Sequence, residues 1–239
     1  MVVLPLQMLL IGDVDLTLGL TWQSMNVTSF NGTCLIVGDT LTCEKIEMAS
    51  KIAGITMILS LMAVVNLGWY QYQTYGIALC RGDVATTDCK TCVNEASNEI
   101  HRLCPYDNGA IIWYDNCLLN YSNKNFLGQI DNENWFSLLN VQNVSDPTIF
   151  NQKTRELLSQ LATEASVTTK NYAAGHIELG ESTNLYGLAQ CTWDLSSNDC
   201  FQCLEDAIGQ LPSCCYGKGG KVVGGSRNIR YEIYPFLSS

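Results

Sequence analysis

A cysteine frame that occurs twice constrains this chain more than any other feature. Tyr75 to Cys92 reads Y-G-I-A-L-C-R-G-D-V-A-T-T-D-C-K-T-C, and Tyr186 to Cys203 reads Y-G-L-A-Q-C-T-W-D-L-S-S-N-D-C-F-Q-C. One offset of 111 residues carries Tyr75 onto Tyr186, Cys80 onto Cys191, Asp83 onto Asp194, Asp88 onto Asp199, Cys89 onto Cys200 and Cys92 onto Cys203. Three cysteines spaced C-x8-C-x2-C, with matching tyrosine, glycine and aspartates, do not recur by chance. The period is too long for a solenoid unit and right for a duplicated domain. The chain therefore reads as two copies of one cysteine-framed module, each of about 100 residues.

Modules of that size bury a modest core and gain from covalent staples. Twelve cysteines supply them: Cys34, Cys43, Cys80, Cys89, Cys92, Cys104, Cys117, Cys191, Cys200, Cys203, Cys214 and Cys215. So many, at repeated spacing, point to disulfides and an oxidising compartment. Four N-x-S/T sequons, at Asn26, Asn31, Asn120 and Asn143, fit a secreted glycoprotein. The net charge of −10 excludes nucleic acid as a partner, because a phosphate-binding surface needs clustered Lys and Arg.

Residues 1–44 match nothing in the second module and stay unassigned. Asp13 and Asp15 interrupt the apolar opening, and no basic region precedes it, so it is a poor signal peptide. The run 52–69, I-A-G-I-T-M-I-L-S-L-M-A-V-V-N-L-G-W, is shorter than the ~20 residues of a membrane span. It reads equally as a signal-peptide hydrophobic region or a buried helix of the first module, and membrane association is expected only through it.

From Tyr72 the pattern is firm. Thr74 to Leu79 predicts a strand and Gly82-Asp83 a turn. Thr86, Thr87 and Asp88 offer capping chemistry for a helix whose single face carries Cys89, Cys92, Val93, Ala96, Ile100 and Leu103. Pro105 ends it. Ala110 to Tyr121 predicts one or two strands, and Ser122 to Glu133 a polar linker. In the second module, Pro147 to Ser166 is an amphipathic helix. Tyr172 to Leu179 and Leu185 to Trp193 form a hairpin. A helix opened by Ser196, Ser197 and Asp199 then carries Cys200, Cys203, Leu204, Ala207 and Leu211. Gly219 to Gly225 and Asn228 to Phe236 form a closing hairpin. The modules are placed at 45–128, with its N-terminal half degenerate, and at 134–238.

Zinc needs four ligands at one point. The pairs Cys89/Cys92 and Cys200/Cys203 instead occupy equivalent places in two separate modules, and only His101 and His176 could assist. A thioredoxin-like redox motif leaves the upstream cysteine unexplained and would precede the helix, not lie within it. Disulfides account for all three cysteines, at about 2–4 kcal/mol per short loop. No metal and no cofactor are expected.

The C-x8-C-x2-C frame, C-P-x5-A-I-I-W-Y-D-N-C-L-L-N-Y-S-N and C-C-Y-G-K-G-G-K-V-V-G-G-S-x-N-I-R-Y-E-I-Y-P-F together resemble the plant ginkbilobin-homologous (salt-stress/antifungal) domain. That domain occurs in tandem in cysteine-rich receptor-like kinases, plasmodesmata-located proteins and cysteine-rich repeat secretory proteins. The resemblance spans about 72–128 and 135–236. It implies an α+β fold with two helices packed on an antiparallel sheet in each module, the first module being incomplete. It also implies the disulfides Cys80–Cys89, Cys191–Cys200 and Cys92–Cys117. The chain departs from the pattern at Arg227, where the second module should carry its late cysteine. That leaves Cys203 to pair with Cys214 or Cys215, or to stay free. Cys34 and Cys43 are unassigned candidates for Cys104. The first module lacks its first helix, and its leading hairpin is compressed into 68–75.

No catalytic constellation emerges, and 217–221 fits neither phosphate-binding glycine motif. Asp83 and Asp88 read as turn and cap residues. In the antifungal branch of the family, mannose is held by an Asn, an Arg and a Glu. The last two positions fall here on Lys221 and Glu232, while the first-module equivalents are Ile111 and Ser122. Lysine lacks the bidentate fork of arginine. Lys221 and Glu232 therefore read either as a carbohydrate contact or as an ion pair across the surface of a hairpin. With no hydrophobic span or kinase domain after Phe236, the expected function is a non-catalytic extracellular recognition module of plant stress or defence signalling, resembling a receptor ectodomain. Its partner is an extracellular protein or a cell-wall glycan, and its place is the apoplast or the outer face of the plasma membrane. The alternative is a secreted, mannose-binding antifungal protein.

Overall fold

The computed structural model describes residues 22–25, 34–37, 62–67, 74–104, 108–140, 142–180, 183–214 and 217–238. The first module contains β4 (Thr74–Cys80), α1 (Thr86–Leu103), β5 (Gly109–Trp113) and β6 (Cys117–Ser122). The second contains β7 (Trp135–Asn140), α2 (Pro147–Val167), β8 (Tyr172–Gly180), β9 (Thr183–Cys191), α3 (Ser197–Cys214), β10 (Gly219–Gly224) and β11 (Arg227–Glu232). Three strands precede them: β1 (Trp22–Met25), β2 (Cys34–Val37) and β3 (Met62–Leu67). The architecture is α+β, with sheets ordered β2-β5-β6-β4-β3 and β1-β7-β10-β11-β9-β8.

Several expectations shift at the N-terminal side. β3 lies inside the apolar run 52–69 and pairs antiparallel with β4, Met62 opposite Leu79. An edge strand, not a helix, therefore uses residues 62–67 of the run, and the rest lies outside the described residues. The leading hairpin is thus 62–80, not a compressed 68–75. The unassigned segment 1–44 contributes a strand to each sheet. β1 extends the second sheet beside β7, and β2 joins β5 in parallel, so the first sheet is mixed, not wholly antiparallel.

Local chemistry starts each helix differently. Asp146 caps α2 by accepting from the backbone N–H groups of Thr148 (3.1 Å) and Ile149 (3.2 Å), with Pro147 in the first turn. Ser196 and Asp199 form a reciprocal cap on α3: the Ser196 hydroxyl donates to Asp199 (2.6 Å) and accepts from its N–H (3.2 Å). α1 differs from expectation. Its N-cap is Ala85, which supplies no side-chain bond, so Thr86, Thr87 and Asp88 sit inside the first turn, where only the negative charge of Asp88 favours the helix end.

Each sheet buries both faces because strand side chains alternate. On the helix side of the first sheet, Ala78, Cys80, Ala110, Ile112, Leu119 and Tyr121 pack with Val93, Ala96 and Ile100 of α1. On its other side Ile77, Leu79, Ile111, Trp113 and Leu118 meet Phe136 of β7 and Val223 of β10. The layers run α1, first sheet, second sheet, then α2 and α3, whose stripe of Phe150, Leu157, Leu158, Leu161, Leu204 and Ile208 closes the second core. Trp113 anchors the seam. Its ring meets Phe136 edge-on with centroids 5.2 Å apart, and its indole N–H donates to the Gly224 carbonyl at 3.0 Å. Gln190 donates across the seam to the Cys80 carbonyl (3.0 Å). Gly82 lies against the Tyr172 ring so closely that a Cβ there would overlap it. The linker is pinned as well, with Gly128, at φ 72°, donating its N–H to Asp194 (2.7 Å).

Disulfides join Cys80 to Cys89, Cys92 to Cys117 and Cys191 to Cys200. The first and third tie a strand end to the helix start that follows. Cys92–Cys117 then ties α1 to β6. In the second module this last staple is missing. Arg227 stands opposite Cys191 just as Cys117 stands opposite Cys80, and Cys203 is free and buried. Cys203 and Cys214 lie on one helix eleven positions apart, about 16 Å at 1.5 Å per residue, which no disulfide spans. Burial, outweighing the nearby Arg227, pushes the Cys203 thiol up to about 11. Arg227 is 3% exposed, and its guanidinium lies 5.8 Å from the Trp135 ring centre. Its Nε and Nη1 find no partner among the described residues.

Two outcomes are expected. Trp113→Ala lowers unfolding stability by about 3–5 kcal/mol in chemical denaturation, whereas Trp113→Phe costs less, because most of the ring contact stays and the losses are part of the ring volume and the Gly224 bond. Arg227→Cys forms a disulfide with Cys203, read as the loss of two titratable thiols on denaturation relative to the reduced variant. It raises stability by about 2–4 kcal/mol.

Candidate functional site

β10 and β11 pair so that Lys221 lies opposite Arg230 and Gly219 opposite Glu232. Val222, Ile229 and Tyr231 enter the helix-side core, so strand alternation sends Lys221, Arg230 and Glu232 to the face that looks at the first module. There the β5–β6 turn delivers Asp115. Its carboxylate takes Lys221 Nζ at 3.0 Å on one oxygen and Arg230 Nη1 at 3.9 Å on the other. Arg230 in turn donates from Nε to Glu232 (3.0 Å) and from Nη2 to the Tyr234 hydroxyl (3.2 Å), with its guanidinium 4.5 Å over the Phe236 ring. Arg81 completes the line. It grips Asp83 with two bonds (2.6 and 3.0 Å) and donates to the Asp115 backbone carbonyl (3.2 Å), while Asp83 accepts the N–H of Ser238 (2.7 Å).

The charges respond to this setting. Lys221 above all, helped by Arg230 and Arg81 and opposed by burial, holds the Asp115 carboxyl well below the usual carboxylate range. Burial pulls the Lys221 ammonium down, and Asp115 partly restores it. Burial pushes Glu232 up to about 7 against the pull of Arg230. One Glu232 oxygen has no hydrogen-bond partner among the described residues and packs against Gly219, where a Cβ would overlap it.

Lys221 and Glu232 are therefore not a surface ion pair, and they do not face each other. Lys221 is 7% exposed, Glu232 0%, and each is paired elsewhere. Strand register decides this, because Arg230, not Glu232, is the cross-strand neighbour of Lys221. Their first-module counterparts Ile111 and Ser122 occupy the matching register, and Ile111 belongs to the apolar seam. Asp115 and Arg230 were not singled out in the sequence. Asp115 carries no local signal, since its partners come from the other module.

Other candidate residues are placed as follows. Asn120 is 5% exposed within β6, so it cannot carry a glycan in the folded protein. Asn143 is exposed just ahead of α2. Asn26 and Asn31 lie outside the described residues. Cys104 is disulfide-bonded, and the side chains of Cys34, Cys43, Cys214 and Cys215 lie outside the described residues. Among the described residues no three metal-ligating side chains converge, and no helix is long and apolar enough to cross a membrane.

The family model for salt stress response/antifungal domains matches residues 55–124 and 139–234. The chain belongs to the salt stress response/antifungal family. An antimicrobial ginkbilobin-2-like protein of Castanea crenata is 57% identical over 175 residues, 73% of each chain. Cysteine-rich repeat secretory protein 38 of Arabidopsis thaliana is 52% identical over 167 residues, 69% of this chain and 66% of that one. The chain thus spans about two thirds of the length of the curated relatives it matches. The tandem DUF26 ectodomain of the Arabidopsis thaliana cysteine-rich receptor-like protein PDLP8 superposes with a TM-score of 0.70 over 84% of this chain and 99% of that one, at 23% identity. The PDLP5 ectodomain gives 0.63 at 29% identity, over 79% and 88%. The family is extracellular, made of secreted cysteine-rich proteins and receptor ectodomains, which places this member in the apoplast or on the outer face of the plasma membrane.

The raised Glu232 pKa makes stability depend on pH. Below pH 4.5 the folded and unfolded chains are both protonated there, and the contribution is fully present. As pH rises through about 7 the folded state must carry a buried carboxylate, and the contribution is lost. Unfolding free energy is expected to fall by up to about 3 kcal/mol across this window. Denaturant titrations of Glu232→Gln should show that slope flattened.

Proposed function

We propose that this protein is a non-catalytic extracellular recognition module of plant stress or defence signalling, whose two modules act as one body and bind a protein partner through the outer surface. Burial of Lys221 and Glu232 supports this reading over direct lectin action. A sugar hydroxyl would need both groups accessible, whereas Lys221 and Glu232 are buried and already paired, with Asp115 and Arg230 respectively. Removing a buried charge from its partner costs several kcal/mol, more than one sugar hydroxyl returns. A tightly joined tandem also suits recognition, because a rigid surface loses little entropy on binding.

The second reading, a secreted mannose-binding antifungal protein, draws support from the 57% identity to the antimicrobial ginkbilobin-2-like protein. The two readings separate on mannan-coated beads, tested beside a set of purified plant receptor ectodomains. The expected result is mannan retention no greater than on blank beads, with saturable binding to at least one ectodomain. Specific mannan retention that Glu232→Gln abolishes without lowering the melting temperature would overturn the proposal.

A further inference from the structure

β8 closes the second sheet at its outer edge. Among the described residues it pairs with β9 alone, leaving one row of backbone N–H and C=O groups without a strand partner. At nine residues it is long for an edge strand, and edges of that length are normally guarded by Pro, Lys, a short span or an inward-pointing charge. The sequence Y-A-A-G-H-I-E-L-G has no proline or lysine, and its irregularity of register is confined to the last step, between Glu178 and Gly180. Ile177 and Leu179 are half-buried, packed against the second core on their inner side. His176 and Glu178, on the opposite face, are exposed, with the His176 ring tilted against Tyr186 at 5.5 Å between centroids.

We infer that this edge is a homotypic docking strand: two copies of the chain join by antiparallel pairing of β8 with β8 about a two-fold axis at Ile177. Charge complementarity selects the occupant and the register. With Ile177 opposite its own copy, His176 meets the partner's Glu178 and Glu178 meets the partner's His176. An imidazole N–H then donates to a carboxylate in both places. Centring one residue to either side along the same face sets Glu178 against Glu178 or His176 against His176. Pairing odd with even positions would put the helix layers of the two copies on opposite faces of the joined sheet, leaving Ile177 and Leu179 without apolar neighbours. In the chosen register the Ile177 side chains meet across the axis and the helix layers stay on one face. The contact is isologous and closes at two copies. It is small, so association is weak, with Kd on the order of 0.1 mM.

Sedimentation over a concentration series reaching on the order of 1 mM tests this directly. The wild-type chain is expected to shift from monomer to dimer. His176→Glu sets like charges in both pairs and weakens dimerisation about tenfold or more. The exchange variant, His176→Glu with Glu178→His, rebuilds both pairs and restores association to within about threefold of wild type. Ile177→Cys adds a register test, since thiols on the axis oxidise to a covalent dimer. A monomer at every concentration overturns the inference. So does an exchange variant as weak as the single variant, or an Ile177→Cys chain that stays monomeric under oxidation.

Discussion

The seam between the two sheets is the constraint from which the rest of the structure follows. Ile77, Leu79, Ile111, Trp113 and Leu118 of one module cannot face water at no cost, and neither can Phe136 and Val223 of the other. Fully burying side chains of this kind contributes about 1.5–3 kcal/mol each, so seven together far exceed any single ion pair at the margin. The apolar contact therefore sets the docking, and the charged groups adapt to it. Asp115 is the clearest case, a turn residue of the first module whose carboxylate pairs with two cations of the second.

This arrangement explains why duplicated modules have diverged where they meet. The register that gives Ile111 to the first module gives Lys221 to the second, and Gly82 in one corresponds to Trp193 in the other. Gly82 is held to glycine by the Tyr172 ring, whereas Trp193 is 37% exposed. The staples follow the same logic. Cys92–Cys117 holds a helix against a sheet in the module with fewer described helices. In the second module, packing of α2 beside α3 supplies cohesion, and the site of the lost cysteine is filled by Arg227 against Trp135.

Much of this was legible before any coordinates. The period-two and period-3.6 patterns located α1, α2, α3 and strands β4 to β6 and β8 to β11 with small shifts at their ends, whereas β7 was not read from the sequence. Where local signals failed, the cause is physical. The run 52–69 is apolar in a way that suits a helix or a strand equally, and only pairing with β4 settles β3. Asn120 fits a glycosylation motif, yet strand alternation buries it. The Ala85 cap replaced the expected threonine chemistry because the helix begins where the loop from β4 delivers it.

By itself, the sequence determined the duplication and the oxidising environment through spacing and cysteine content that no neighbour can alter, and its motifs carried the family resemblance that implied the α+β class. The tertiary structure alone decided where Lys221 and Glu232 sit, that Cys203 is left free, and which charges meet. The most telling of these contacts joins residues more than 100 positions apart, Asp115 and Lys221. Their contact is set by how two apolar sheet faces pack, a relation that no local pattern encodes.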